Sequence, residues 1–329
     1  MPRISSIAAC LPSREILNKD FENQFSTRQI TGVEKMVGVQ SRRWANDGQS
    51  TVDLCIAAAR ALPGEEALNN IDLLIVALQT PTKVLPAAAF EIHGRLGLNT
   101  DCACMTISAG CTGFTDSLAL AFDLLVVRNQ SRALVLVGDT LSKVLDRDDR
   151  ATAMIFGDAA CATLVEHNRV LNMDRYVAAA GTRSDGYKAI SLDWPSKDFE
   201  PKLYMKGMDV FNFTVDVASF VMEKMASLWS VKYDPIEKFD NYLIHQANNM
   251  VTSKFREKMN IDAGKMPSNL ELFGNTSGST IPLLICSEHA LGSFVANKRV
   301  LLLSFGVGLA WSAIAFDIPE DLKTAIVEL

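Results

Sequence analysis

Three residues of this chain have side chains and settings suited to covalent catalysis. Cys111 lies in Ile107-Ser108-Ala109-Gly110-Cys111-Thr112-Gly113-Phe114. The glycines on either side allow a tight strand-to-helix turn. The thiol would then sit at a helix N-terminus, where the macrodipole favours thiolate, as a nucleophilic cysteine needs. A buried small residue is the usual fate of cysteine, and the local sequence leaves both readings open. His245, in Leu243-Ile244-His245-Gln246-Ala247-Asn248, ends an apolar strand. Site residues of α/β folds project from that end, although a hydrogen-bonded structural histidine fits there equally. Asn275 follows Gly274 and precedes Thr276-Ser277-Gly278, a turn in which asparagine usually serves the backbone.

Other candidates carry less. Phe305-Gly306-Val307-Gly308-Leu309 half resembles a dinucleotide-binding GxGxxG, but no helix follows. Such a turn can instead aim backbone N–H groups at an oxyanion. Cys102 and Cys104 form a CxC with no second pair and no clustered histidine. A structural zinc site wants four ligands, so no metal is expected. His93, in a helical stretch over 90–98, reads as a solvent-side residue, and His167 and His289 have no obvious partner. Cys10, Cys55, Cys161 and Cys286 read as buried thiols.

The elements that must position these residues follow from hydrophobic pattern. Short apolar runs at 71–77, 133–137, 242–244 and 300–303 are continuous rather than alternating, which suits strands covered on both faces. Helical spacing lies between them. One helix capped by Ser50 or Thr51 carries Leu54, Ala58 and Ala61. A second, from about Cys111, carries Phe114, Leu118, Ala121, Leu124 and Leu125. A third spans about 210–228. This alternation predicts an α/β fold with largely parallel sheets.

The pattern also repeats. The strand at 72–76 matches 240–244, Gly110-Cys111-Thr112-Gly113 matches Gly274-Asn275-Thr276-Ser277, and 132–136 matches 298–302. All three pairs keep one order and nearly one separation. Two similar halves follow, 1–170 and 171–329, with Cys111 and Asn275 at equivalent turns that face a common centre.

Composition bounds the rest. The 329 residues are 48% apolar and 21% charged, with net charge −6. Intrinsic disorder is excluded, and a general nucleic-acid binder is disfavoured, because phosphate demands a basic face. No run reaches the roughly 20 apolar residues of a membrane span, and no h-region of a signal peptide is expected at the start. The seven cysteines are odd in number and sit mostly in apolar strings, the pattern of reduced thiols in a cytoplasmic protein.

Taken together, Ala109-Gly110-Cys111-Thr112-Gly113-Phe114, Ile155-Phe156-Gly157-Asp158-Ala159, His245-Gln246-Ala247-Asn248, Gly274-Asn275-Thr276-Ser277 and Ser304-Phe305-Gly306-Val307-Gly308 resemble β-ketoacyl-acyl-carrier-protein synthase III of the thiolase superfamily. The resemblance spans essentially the whole chain. It implies a five-layered αβαβα thiolase-like fold and a homodimer. It implies that an acyl thioester, on coenzyme A or a carrier protein, loads Cys111, with the N–H groups of Cys111 and Val307 as oxyanion hole. It further implies that His245 and Asn275 stabilise the enolate formed when a malonyl-carrier thioester loses carbon dioxide. No cofactor is implied.

Departures qualify the substrate. The tryptophan and arginine that grip adenine in these synthases match Gly32 and Met36. Arg150 matches a second base-stacking arginine, and Phe211 an aromatic of the same tunnel. Leu85 matches a bulky phenylalanine of the acyl pocket in acetyl-primed relatives, while Asn248 and Gly306 are expected at the substrate. An arginine five residues after the histidine is replaced by Met250, but Lys254, Arg256 and Lys258 follow on one helix and could dock an acidic carrier. Two other readings remain: an acyltransferase passing the Cys111-bound group to an alcohol or amine, and a non-catalytic partner subunit. Hydroxymethylglutaryl synthesis is disfavoured, because 76–83 contains no carboxylate base.

Overall fold

In the computed structural model, which describes residues 2–167, 175–193, 200, 202–235, 238–293 and 298–329, the apolar runs become strands of two main sheets. In chain order the strands are β1 (Pro2–Leu11), β2 (Glu15–Leu17), β3 (Ser41–Arg43), β4 (Leu73–Ala77), β5 (Ala103–Ile107), β6 (Arg132–Asp139), β7 (Ala159–His167), β8 (Tyr176–Thr182), β9 (Ile190–Ser191), β10 (Tyr204–Met205), β11 (Asn241–Ile244), β12 (Arg299–Gly306), β13 (Ala310–Asp317) and β14 (Lys323–Glu328). The helices are α1 (Thr27–Val37), α2 (Thr51–Arg60), α3 (Ala88–Leu96), α4 (Gly113–Val127), α5 (Arg150–Ala153), α6 (Gly207–Lys232), α7 (Asn249–Lys258), α8 (Leu270–Phe273) and α9 (Thr280–Ala290).

The first sheet runs β14-β1-β7-β6-β4-β5 and the second β11-β12-β13-β8. One pattern recurs in both. β4 pairs parallel to β6 with Leu73 opposite Ala133, and β11 pairs parallel to β12 with Asn241 opposite Val300. An antiparallel strand follows in each, β7 or β13, and then another, β1 or β8. The strands matched by the sequence repeat thus hold equivalent places, and β14 crosses to the first sheet. The junction expected at 170–171 lies outside the described residues. The expectation of largely parallel sheets is corrected, because both sheets are mixed. Burial on both faces removes alternation from a strand whatever the direction of its neighbours, so the apolar runs could not reveal it.

Helices complete five layers. Leu54, Ala58 and Ile92 of α2 and α3 pack on the outer face of the first sheet. Phe114, Leu118 and Phe122 of α4 and Ile281, Leu284 and Ile285 of α9 fill the space between the sheets. Phe213, Val221 and Met225 of α6 and Phe255 of α7 cover the far face of the second. Ser50 caps α2: its Oγ accepts from Asp53 N at 3.2 Å while the Asp53 carboxylate accepts from Ser50 N at 2.9 Å, a reciprocal box. Residues 110–127 are long and apolar enough to cross a bilayer, but more than half of the stretch is buried. Its place between the sheets accounts for that composition.

Candidate active site

Cys111 occupies a short 3-10 turn, Gly110–Thr112, between β5 and α4. Gly110 has φ +53°, a backbone that glycine adopts without strain. The end of β12 closes on it: a β-carbon on Gly306 would lie 2.6 Å from Cys111 Cβ and 2.9 Å from its Sγ. Only glycine admits this approach. The backbone amides of Cys111 and Val307 and the Ser277 side chain lie near the thiol and favour its charged form.

His245 follows β11, its amide donating to Leu303 O at 2.8 Å. The imidazole is buried, and Nδ1 lies 2.7 Å from Thr280 Oγ1. The same hydroxyl lies 3.1 Å from Ser277 O. Asn275 is held by backbone bonds to the loop after α5: its N donates to Ile155 O at 2.9 Å, and its O accepts from Gly157 N at 3.0 Å. Its Oδ1 accepts from Ser277 N at 2.9 Å and its Nδ2 donates weakly to Ala247 O at 3.4 Å. One N–H of the amide is left over. The motif Phe156-Gly157-Asp158 therefore supports the site: Asp158 accepts from Ala45 N at 2.7 Å and Ser142 N at 2.9 Å.

These groups line one cavity of about 1030 Å3, with Cys111, His245, Asn275, Ser277, Gly306 and Val307 in its wall. Asn248, the N-cap of α7, lines it too. Burial pushes the Cys111 thiol up to about 12, Asp139 adds in the same direction, and the Ser277 side chain and the Cys111 and Val307 amides oppose them. Burial pulls His245 down to about 4. At neutral pH the site rests as thiol and neutral imidazole. The helix N-terminus supplies a field that favours thiolate, and desolvation opposes it.

Several expected residues lie elsewhere. Leu85 is 82% exposed and outside the cavity wall of its own chain. Arg150, exposed at the start of α5, and Phe211, half-buried on α6, are also outside the wall, whereas Val210 and Gly207 are in it. Lys254 pairs with Glu257 at 2.9 Å, the Lys258 amine donates to Val215 O on α6, and Arg256 is half-buried. The basic face of α7 is partly neutralised by its own neighbours.

Two features escaped the sequence reading. Asp139, at the end of β6, is buried, and burial raises its carboxyl to about 6 against hydrogen bonds from Gln79, Ser277 and Thr80. Its Oδ1 accepts from Gln79 N at 2.6 Å and Thr80 N at 3.1 Å, which anchors the cavity loop after β4. A carboxylate closing the apolar run at 133–137 was the available signal. Second, the CxC does have a clustered histidine. A His93 ring nitrogen and the sulfurs of Cys102 and Cys104 all lie within 4.8 Å of one another.

Comparison with known proteins agrees with this geometry. Residues 105–186 match the family model described as 3-oxoacyl-[acyl-carrier-protein (ACP)] synthase III, and residues 235–318 match its C-terminal counterpart. The chain is 32% identical to the beta-ketoacyl-[acyl-carrier-protein] synthase III of Brucella anthropi over 94% of this chain and 97% of that protein. It is 30% identical to the Streptococcus gordonii protein of the same description, covering 95% and 98%. The crystal structure of a 3-oxoacyl-(acyl-carrier protein) synthase from Burkholderia xenovorans superposes with TM-score 0.87 at 30% identity, covering 99% of this chain and 97% of that one.

Proposed function

Because the chain belongs to the 3-oxoacyl-[acyl-carrier-protein] synthase III family, we propose that it condenses an acyl thioester with a malonyl-carrier thioester, with Cys111 carrying the acyl group. The observation that carries this reading is convergence: Cys111, His245, Asn275 and Val307 line one cavity, with the Gly306 backbone packed against the Cys111 sulfur.

The Cys111 sulfur attacks the thioester carbonyl, and the amides of Cys111 and Val307 hold the oxyanion. The C–S bond of the donor breaks, and the thiol proton leaves with the departing thiol. Malonyl thioester then enters. His245 Nε2 and the spare N–H of Asn275 hydrogen-bond its carbonyl oxygen. The bond to the carboxylate breaks, carbon dioxide departs, and the enolate is held by those two donors. The enolate carbon attacks the acyl-cysteine carbonyl. Cys111 thiolate is expelled and reprotonated, and the β-ketoacyl thioester leaves.

Thr280 serves both halves of this sequence. Its single hydroxyl hydrogen goes either to Ser277 O or to His245 Nδ1. In the first case Nε2 is an acceptor, suited to the thiol proton. In the second Nε2–H is a donor, suited to the malonyl carbonyl.

A cavity of about 1030 Å3 has room for an acyl chain. Arg150 and Phe211 would meet the part of the donor outside the wall, and Lys254, Arg256 and Lys258 would meet an acidic carrier, since α7 starts at the cavity. The seven cysteines are free thiols, as in a reducing cytoplasm. A homodimer is supported by β5, which ends the first sheet with half-exposed residues throughout. Val84, Leu85 and Phe90, in the segment leading to β5, are all strongly exposed, and an unpaired apolar edge invites a second copy. Leu85 would then be covered by the partner.

The test supplies a panel of acyl thioesters, then malonyl-carrier, and identifies products by mass. A β-ketoacyl thioester with release of carbon dioxide is expected. Transfer of the acyl group to an added amine or alcohol, with no condensation product, would overturn the assignment.

A further inference from the structure

We propose that His93, Cys102 and Cys104 form a binding site for a thiophilic divalent metal ion, zinc, that ties α3 to the edge strand β5 at the opposite end of that strand from Cys111. Cys102 and Cys104 stand two residues apart, so their side chains share one face of an extended chain. That face packs on α3: Cys104 belongs with Ala88, Ala89 and Ile92 in one apolar cluster. His93 follows Ile92 on the helix. Its ring and both sulfurs fall within 4.8 Å of one another, within easy reach of a common centre.

The surroundings hold this arrangement. The Asn99 carbonyl is 3.0 Å from His93 Nε2 and also accepts from Cys102 N at 2.9 Å. One backbone oxygen thus links the imidazole to the cysteine loop. Metal-bound histidines characteristically donate their second ring N–H to a carbonyl or carboxylate. With Nε2–H on Asn99, the lone pair of Nδ1 is left for a metal. The sulfurs' hydrogen-bond contacts are long, Cys104 Sγ at 3.6 Å from Cys102 O and Cys102 Sγ at 3.8 Å from Ala103 O.

The charges balance. Zinc(II) binding displaces one proton from each thiol to solvent, and two thiolates with a neutral imidazole leave the site uncharged. That suits a position where Cys102 is buried and Cys104 and His93 are half-buried. Two sulfurs and one nitrogen are a soft donor set that favours zinc over magnesium or calcium; with three protein ligands the site differs from a closed four-ligand structural centre, and water fills its open fourth position.

The reduced full-length enzyme is titrated with Co2+ as the spectroscopic stand-in for zinc, and then with Zn2+. One equivalent should bind, with a thiolate-to-cobalt charge-transfer band and strong visible bands that Zn2+ abolishes. The charge-transfer band should weaken in Cys104→Ser, and affinity should fall at least about tenfold in His93→Gln, a replacement on a partly exposed helix face. Cys111→Ser should bind as the parent does, and Zn2+ should raise the thermal transition of the parent but not of Cys104→Ser. Absence of a charge-transfer band would overturn the proposal. So would a band that survives both substitutions, or one lost only in Cys111→Ser.

Discussion

The hydroxyl of Thr280 lies 2.7 Å from Nδ1 of the buried His245, and this contact governs which face of the imidazole carries a proton. Thr280→Val removes it. A buried hydrogen-bond partner lost in this way costs about 1–3 kcal/mol, or about ten- to a hundredfold in rate. We expect kcat for condensation to fall by that amount with little change in KM, and Thr280→Ser to restore it. Full activity in Thr280→Val would contradict the assignment.

Gly306 is tied to Cys111 by space alone. A methyl group there would meet Cys111 Cβ at 2.6 Å. Displacing a nucleophile by an ångström costs about a hundredfold, so Gly306→Ala should slow acyl loading by about that factor. Loading is read by intact mass and the fold by the thermal transition. A variant that loads at the parent rate would show that β12 does not crowd the sulfur.

The resting thiol has a consequence for pH. With Cys111 pushed up to about 12, its thiolate fraction rises about tenfold per pH unit through neutrality. Alkylation of Cys111 by iodoacetamide in the free enzyme should therefore climb steadily between about pH 6 and 9. A plateau beginning near pH 7 would mean that the thiolate is already formed there.

Asp158 links stability to pH. Burial raises its carboxyl from 3.8 to about 6 in spite of its hydrogen bonds. The folded state then holds a proton that the unfolded state has released. Its contribution is fully present below about pH 4 and declines as pH rises to about 6, a change of about 3 kcal/mol. Asp158→Asn lacks this decline, so urea unfolding should show the variant gaining on the parent over that window. A pH-independent difference would contradict it.

The site was more legible than its environment. Cys111 and Asn275 could be matched as repeat partners because equivalent turns keep glycine and small residues in similar order. His245 could be placed because it ends a short apolar run. Strand direction was hidden, since doubly covered strands such as β7 and β13 carry no alternation. The protonation of Cys111 was hidden too, because a helix N-terminus is visible in sequence and the depth of burial is not. His93 joins Cys102 and Cys104 only after the turn from α3 into β5 folds back, which spacing along the chain does not reveal. Leu85, Arg150 and Phe211 were placed by likeness to other chains, and in a single copy of this one they stand outside the cavity wall.

The central claim is that one cavity performs two chemically separate steps, loading on Cys111 and condensation supported by His245 and Asn275. The most direct measurement follows both steps in Asn275→Ala by intact mass, first with an acyl thioester and then with malonyl-carrier. We expect an acyl adduct on Cys111 at close to the parent rate, followed by condensation slowed by about a hundredfold or more, the scale for loss of an oxyanion donor. Equal loss of both steps, or condensation at the parent rate, would contradict it.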